Sequence, residues 1–184
     1  MKKLLTILLA TICLFALCAC NSGSNLDSNP TGANPIKVGV VQTTQHPALD
    51  AATQGFVDAL KENGITDIDI QNASGESTNC STIVGNFVAD GVDLIMANAT
   101  PALQAASAAT DTIPVLGTSI TVYDVVLGGS VPKNVSGTTD LAPLDEQASM
   151  IKELFPDAKK VGILFCSAEA NSQYQVDKIS EFLK

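Results

Sequence analysis

The sequence predicts an α/β fold, with an open parallel β-sheet between two layers of helices. Short runs of β-branched and apolar residues alternate along the chain with longer segments whose apolar residues recur at helical spacing. Typical helix boundaries separate them, such as Thr100 followed by Pro101 at a start, and Gly64 and Gly91 at stops. Repeated strand–helix units favour parallel strands joined by right-handed crossovers, which gives a three-layer open sheet.

The first strand–helix–strand unit follows a polar stretch. Residues 36–42 are a nearly continuous apolar run, which is typical of a strand buried on both faces. Residues 47–63 predict a helix, because Phe56 and Leu60 share one helical face. Residues 68–70 alternate between apolar and polar, which predicts the second strand.

Two more units follow, with clear start and stop signals. In order, we predict a helix from Thr78 or Asn79 to Gly91, a strand at 92–97, a helix at 100–109 and a strand at 113–116. Residues 122–127 are a candidate fifth strand. Residues 128–140 are rich in turn-forming residues and contain a candidate short strand at 134–137.

The strand–helix pattern then restarts. Residues 143–155 predict a helix that Pro156 ends, and residues 161–165 predict a buried strand. A last helix begins near Asn171 or Ser172.

The N-terminal residues predict secretion and a lipid anchor. Lys2 and Lys3 precede an apolar run that is shorter than the roughly 20 residues needed to span a bilayer, so residues 1–19 predict a signal peptide. The run ends in Leu-Cys-Ala-Cys, the pattern of a bacterial lipobox, and Cys20 is then the lipidated N-terminus. The alternative is an ordinary signal peptide that happens to contain a cysteine.

The expected organisation has three parts after the signal peptide. Residues 20–35 are rich in Ser, Asn, Gly and Pro and predict a flexible linker. Residues 36–140 predict one complete α/β lobe, and residues 141–184 predict the beginning of a second. Because one strand cannot make a sheet, we interpret the sequence as truncated.

Composition excludes several classes of function. The formal net charge is −9, and the chain has no Arg and no Trp, which argues against nucleic acid or anionic lipid as a partner. An acidic surface can also serve solubility alone. Without Arg, an anionic ligand must be bound by backbone N–H groups, helix N-termini, hydroxyls or Lys.

Motifs for cofactors and metals are missing from the sequence. Neither a dinucleotide fingerprint, a phosphate-binding glycine loop nor a Cys-x-x-Cys pair occurs, so we expect no cofactor and no metal. Cys80 and Cys166 could form a disulfide in an oxidising compartment. Two free thiols are the favoured alternative, because the cysteines fall in separate strand–helix units.

Four polar loops follow predicted strands, at residues 42–46, 97–100, 117–121 and 166–171. Open parallel sheets bind ligands at this edge, and helix N-termini there can hold a carboxylate. The alternative is that these polar residues are only caps and turn formers. His46 lacks the motif of a catalytic base, so a binding or capping role is favoured.

Three segments carry a resemblance to a known family. They are KVGVVQTTQHPALDAATQGFVDAL at 37–60, VDLIMANATPALQAA at 92–106 and FPDAKKVGILFCSAEANSQYQV at 155–176. They resemble the solute-binding lipoproteins of bacterial ABC importers with the type 1 periplasmic-binding fold, particularly the branch associated with tryptophan and tyrosine uptake. The resemblance implies two lobes joined by a hinge near residues 138–140, with the solute held between them.

The resemblance also implies which residues contact the solute. They are Gln42, His46, Pro47, Asn98, Thr100, Thr118, Ser119, Asp140, Glu169, Asn171 and Ser172. Among them, Thr100, Ser119 and Asn171 are the expected partners of a carboxylate, and Asp140 could meet an ammonium group.

The function implied is that of an extracytoplasmic solute-binding component, not an enzyme. It would capture a small amino-acid-like ligand, such as tryptophan or tyrosine, and deliver it to a permease and its ATPase. Its lipid anchor would hold it on the outer face of the cell membrane, in the periplasm or at the cell surface. Alternatives are a ligand-sensing lipoprotein, a lipid-anchored hydrolase on a flavodoxin-like sheet and a structural surface lipoprotein.

Overall fold

The computed structural model describes residues 35–184, which contain five strands and six helices. The strands are β1 (Lys37–Gln42), β2 (Asp67–Asn72), β3 (Leu94–Asn98), β4 (Val115–Ile120) and β5 (Val135–Thr139). The helices are α1 (Pro47–Glu62), α2 (Ser77–Ala89), α3 (Thr100–Ala109), α4 (Tyr123–Val126), α5 (Leu144–Leu154) and α6 (Ala170–Leu183). The predicted signal peptide, Cys20 and residues 20–34 of the linker lie outside the described residues.

The strands form one sheet in the order β2-β1-β3-β4-β5, and every neighbouring pair is parallel. This order places β1 inside the sheet, which agrees with its continuous apolar sequence. The predicted open parallel sheet is confirmed. No helix within residues 35–184 has both the length and the apolar character needed to cross a membrane.

Side chains of β1 alternate between two cores on opposite faces of the sheet. Val38 and Val40 pack with Phe56 of α1 in the smaller core. Val41 belongs to the larger core, where Phe87 of α2 and Leu103 of α3 are also buried. Helices therefore cover both faces, which confirms the predicted three-layer arrangement.

Gly39 lets helix α2 approach the sheet closely. A Cβ atom at this position would lie 2.6 Å from Cδ2 of Phe87. The phenyl ring is 1% exposed and fills the larger core, so it has little room to move. A glycine is thus required here for packing.

The candidate strand at residues 122–127 is wrong, because this segment contains the short helix α4. The Tyr123 hydroxyl donates to the carbonyl oxygens of Gly117, at 2.8 Å, and Thr138, at 3.2 Å. These bonds hold the segment across the ends of β4 and β5. The short strand expected at 134–137 is confirmed as β5, which takes the edge position beside β4.

The buried strand predicted at residues 161–165 is also wrong. Val161 is 46% exposed and Leu164 is fully exposed, and the segment has no strand hydrogen bonds. Strand hydrogen bonds come from a neighbouring strand, and within residues 35–184 none lies beside it. The segment connects α5 and α6, which pack against each other. The division into lobes at residue 140 stays a prediction.

Candidate functional site

The carboxyl ends of β1, β3 and β4 lie side by side at one edge of the sheet. Gln42, Asn98 and Thr118 are register neighbours there. The loops that follow these strands therefore begin next to each other, where open parallel sheets bind ligands. Helix α6 reaches the same region, because it contacts α4 and Ala170 packs against the larger core.

These loops and helices surround a cavity of about 280 Å³, which we call the edge cavity. It is lined by Thr43, Thr44, Leu49, Ala99, Thr100, Pro101, Ser119, Thr121, Asp140, Glu169, Asn171 and Gln175. The first turns of α3 and α6 both contribute to the lining. Partial positive charge from two helix dipoles is therefore directed at the same space.

Five residues predicted as solute contacts line the edge cavity. They are Thr100, Ser119, Asp140, Glu169 and Asn171. They come from segments as far apart as α3 and α6, so the fold brings together what the chain separates. Their contact with a solute stays a prediction.

Gln42 and Asn98 are also predicted solute contacts; in the structure both form hydrogen bonds around α1, and their contact with a solute stays a prediction. The Gln42 side chain donates to Oδ1 of Asp50, at 2.6 Å, and accepts from the Thr53 hydroxyl, at 2.7 Å. Asn98 donates to the Leu49 carbonyl, at 2.8 Å, and to the Thr53 hydroxyl, at 3.0 Å. Both side chains are buried. This network fastens α1 to the ends of β1 and β3.

His46 begins helix α1. Its Nδ1 accepts from the N–H of Ala48, at 3.2 Å, and Pro47 takes the first helical position. Both His46 and Pro47 are exposed and lie outside the lining of the edge cavity. Within the described residues, His46 has no side-chain partner of the kind that a catalytic base needs.

Thr118 and Ser172 also lie outside this lining. The Thr118 hydroxyl is 3.2 Å from that of Thr138 and belongs to a second, mainly apolar cavity on the α1 side of the sheet. Ser172 donates to Oε2 of Glu169, at 2.9 Å. Ser172 can therefore orient a carboxylate of the edge cavity without lining it.

Sequence reasoning missed several lining residues: Thr43, Thr44, Leu49, Thr121 and Gln175. Thr43, Thr44 and Thr121 lie within the predicted polar loops at residues 42–46 and 117–121. Gln175 lies four residues after Asn171 on α6, and this spacing places both on one helical face. Helical spacing from Asn171 could have identified Gln175.

The backbone is strained at two positions of the lining. Ala99 has φ 79° and ψ 163°, a region that is essentially restricted to glycine, and Ser119 has φ 58°. Ala99 directly follows β3, and Ser119 lies in β4 where the pairing with β5 shifts register between Gly117 and Ile120. Strained backbone persists only where the surrounding structure maintains it, and such positions are found mostly at functional sites.

The charged side chains that line the edge cavity are all acidic. Its charged side chains are Asp140 and Glu169, both exposed, and no Lys lines it. Thr100 and Ser119 supply hydroxyls that have no hydrogen-bond partner within residues 35–184. Asn171 Oδ1 is buried and also lacks a partner within that range. The arrangement thus combines acceptors for a cation with donors for an anion.

Tyr123 fixes the wall that carries Ser119 and Asp140. Burial raises the pKa of its phenol above the ordinary value of 10.0, and the nearby Asp140 carboxylate raises it further. The phenol therefore stays protonated and continues to donate to Gly117 and Thr138. In the same way, burial raises the pKa of the free Cys80 thiol.

Comparison with known proteins decides the family. Residues 37–184 match the family described as ABC transporter substrate binding protein. The chain belongs to this family. The match begins at β1 and extends through α6, so it covers both sides of the edge cavity.

Relatives of this chain include one protein named for an amino acid and one crystallised with an amino acid. It is 36% identical over 200 aligned positions to the "Tyrosine-binding protein" of Clostridioides difficile, covering 100% of this chain and 57% of the relative. It is also similar to a crystal structure of an ABC domain from Streptococcus pneumoniae in complex with L-Trp. There the identity is 35%, the TM-score is 0.74, and the match covers 82% of this chain and 54% of the other.

A third relative is the ligand-free, open form of a substrate binding protein with adhesive properties from Clostridium difficile. The identity is 39% and the TM-score is 0.63, with 80% of this chain and 53% of the other covered. The chain thus spans a little over half the length of these relatives. The type 1 periplasmic-binding fold implied by the sequence is confirmed.

Proposed function

We infer that this substrate-binding protein captures a free amino acid with an aromatic side chain in the edge cavity and delivers it to an ABC permease. It performs no chemistry on the ligand. The observation that carries the proposal is the composition of the cavity. Partial positive charge and free hydroxyls from α3 and β4 meet two carboxylates, Asp140 and Glu169, in one space.

The charges of the cavity favour a zwitterion over a simple anion. A ligand that carries only a carboxylate would meet two like charges and no Lys, which is unfavourable at short range. An α-amino acid offers one group to each part of the cavity. Its carboxylate would accept from Thr100 and Ser119, and its ammonium group would donate to Asp140, Glu169 or Asn171 Oδ1.

The proposal of an aromatic side chain draws on the relatives. One is named for tyrosine and another was crystallised with L-Trp. Within this chain, Leu49 and Pro101 give the edge cavity apolar surface against which a ring could pack.

Capture between two lobes forms part of the same proposal. Residues 36–140 would form the first lobe and residues 141–184 the beginning of the second. Reading the coding frame of the source beyond codon 184 tests this idea. Further strand–helix units, followed by permease and ATPase genes, would support it, whereas a stop codon at that point would contradict it.

The proposed location is the outer face of the cell membrane. Residues 1–19 would direct export, Cys20 would carry the lipid, and residues 20–35 would act as the tether. This location suits a protein that takes a solute from outside and passes it to a permease in the same membrane.

Isothermal titration calorimetry tests the ligand class. The sample is the protein encoded by the complete reading frame of the source. We expect binding of L-tryptophan or L-tyrosine and weaker binding of L-leucine. Analogues that keep the carboxylate but lack the α-ammonium group should bind more weakly, because they meet the like charges of Asp140 and Glu169 without a cation to offset them. A His46→Ala variant is a matched control and should bind as well as the wild type, because His46 lies outside the cavity lining. Failure of every aromatic amino acid to bind would refute the proposal.

A further inference from the structure

Helix α3 begins without a side-chain cap of its own. Its N-cap residue is Ala99, which has no polar side chain, and Pro101 has no N–H. The N–H of Leu103 is already bonded to the Ala99 carbonyl, at 3.1 Å. The N–H groups of Thr100 and Ala102 are therefore the ones that need partners from elsewhere.

Thr43 supplies the missing cap from a distance of 59 residues along the chain. Its Oγ1 accepts from the N–H of Ala102, at 3.3 Å. Within residues 35–184, the N–H of Thr100 has no hydrogen-bond partner. It is thus the single free N–H in the first turn of α3, and Thr100 lines the edge cavity.

The same hydroxyl also holds the chain on the other side of Ala99. Thr43 Oγ1 donates to the carbonyl of Asn98, at 3.1 Å, and the Thr43 N–H donates to the same oxygen, at 3.2 Å. Thr43 therefore bridges the residue before Ala99 and the third residue of α3, Ala102. Ala99, with its φ of 79°, lies between these two anchors.

This bridge explains how a strained alanine persists. Ala99 donates its N–H to the Thr118 carbonyl, at 3.0 Å, which fixes one side of the peptide. Without the Thr43 hydroxyl, the Asn98 carbonyl and the Ala102 N–H would each lose a partner. Ala99 could then relax to a negative φ, and this rotation would turn the N–H and hydroxyl of Thr100 away from the cavity.

We propose that Thr43 is a positioning residue for the carboxylate half of the edge cavity. Its buried hydroxyl bridges Asn98 and Ala102 and so directs the free N–H and hydroxyl of Thr100 toward the ligand. It acts through α3, because its own proton is committed to the Asn98 carbonyl and the side chain is 7% exposed. The assignment rests on the proposed function, since it assumes that a carboxylate binds there.

The test compares L-tryptophan with L-tryptophanamide, which keeps the ammonium group and the ring but has no carboxylate. Calorimetry at a pH where both amines are protonated gives the affinity ratio of the two ligands. Thr43→Val, which removes the hydroxyl and keeps the shape, should weaken binding of L-tryptophan by roughly tenfold, the size of one charged hydrogen bond. Binding of the amide should weaken much less, so the affinity for L-tryptophan divided by the affinity for the amide should fall. Thr43→Ser should restore the ratio.

Thr53→Val is the matched control. Thr53 is another buried threonine, but its hydroxyl bonds with Gln42 and Asn98 side chains and not with α3. Its loss should leave the ratio unchanged. An equal loss for both ligands in Thr43→Val, or no rescue by Thr43→Ser, would overturn the assignment of Thr43.

A measurement without ligand separates this inference from the proposed function. Amide hydrogen exchange at Ala102 should be faster in Thr43→Val than in wild type and should return to normal in Thr43→Ser. Unchanged exchange would overturn the assignment. Wild-type protein that binds neither L-tryptophan nor L-tyrosine would overturn the proposed function and this assignment together. Binding with an unaltered ratio would overturn the assignment alone.

Discussion

Removing hydroxyls from the edge cavity is the sharpest test of the proposed carboxylate-binding site. Thr100→Val and Ser119→Ala each remove one hydroxyl that has no partner within residues 35–184. No protein group therefore loses a hydrogen bond, and the free energy of unfolding should change little. The cost should appear in ligand affinity instead.

The expected magnitude follows from the kind of hydrogen bond. A bond to a charged group contributes roughly 1.5–3 kcal/mol. Each substitution should therefore raise the Kd for L-tryptophan by about 10- to 150-fold, because about 1.4 kcal/mol corresponds to a tenfold change. Calorimetric titration of each variant measures this change, and thermal unfolding checks that the variants are folded.

Thr118→Val is the matched control for Ser119→Ala. The sequence resemblance implies that both residues contact the solute, whereas the structure puts only Ser119 in the lining of the edge cavity. Thr118→Val should therefore leave the Kd within about twofold, since it removes only a neutral contact with Thr138. Equal losses in both variants, or unchanged affinity in Ser119→Ala and Thr100→Val, would refute this account of the site.

Four further predictions test other parts of the structure. Ala99→Gly should raise the free energy of unfolding by about 0.5–2 kcal/mol in denaturant titrations, because strain of about 1–3 kcal/mol is relieved at some entropic cost; a lower midpoint would contradict this. Gly39→Ala should destabilise by about 1–3 kcal/mol, since its Cβ overlaps a buried phenyl ring; unchanged unfolding would show that the core can yield. Stability should fall as pH rises from 10.0, the ordinary pKa of tyrosine, through the raised folded-state pKa of Tyr123, because in that range the unfolded state loses the phenol proton while the folded state keeps it; Tyr123→Phe should lose less stability at alkaline pH than wild type. Cys20→Ala should release the protein from membranes, and retention of a lipid-shifted mass in this variant would refute the lipidation site.

Local signals were sufficient for most helices and strands. Each of these signals lies within one turn or one strand. Examples are the apolar run of β1, the Thr100–Pro101 start of α3 and the glycine after α2. Segment 122–127 shows the limit of such signals. Its β-branched residues favour a strand, but the Tyr123 hydroxyl bonds to the ends of β4 and β5 and holds the segment as a helix. That contact depends on residues which come together only in the folded sheet.

The same distinction between local signals and tertiary contacts applies to the candidate site. The sequence by itself determined the α/β class, the parallel order of strand–helix units and the edge at which polar loops gather, because hydrophobic periodicity and strand direction are properties of short segments. Tertiary structure alone decided which side chains reach the edge cavity. Ser119 lines it and the adjacent Thr118 does not, Gln42 and Asn98 turn inward to hold α1, and Thr43 caps a helix 59 residues away. Burial and hydrogen-bond partners are set by neighbours distant along the chain, so no local pattern could have assigned these roles.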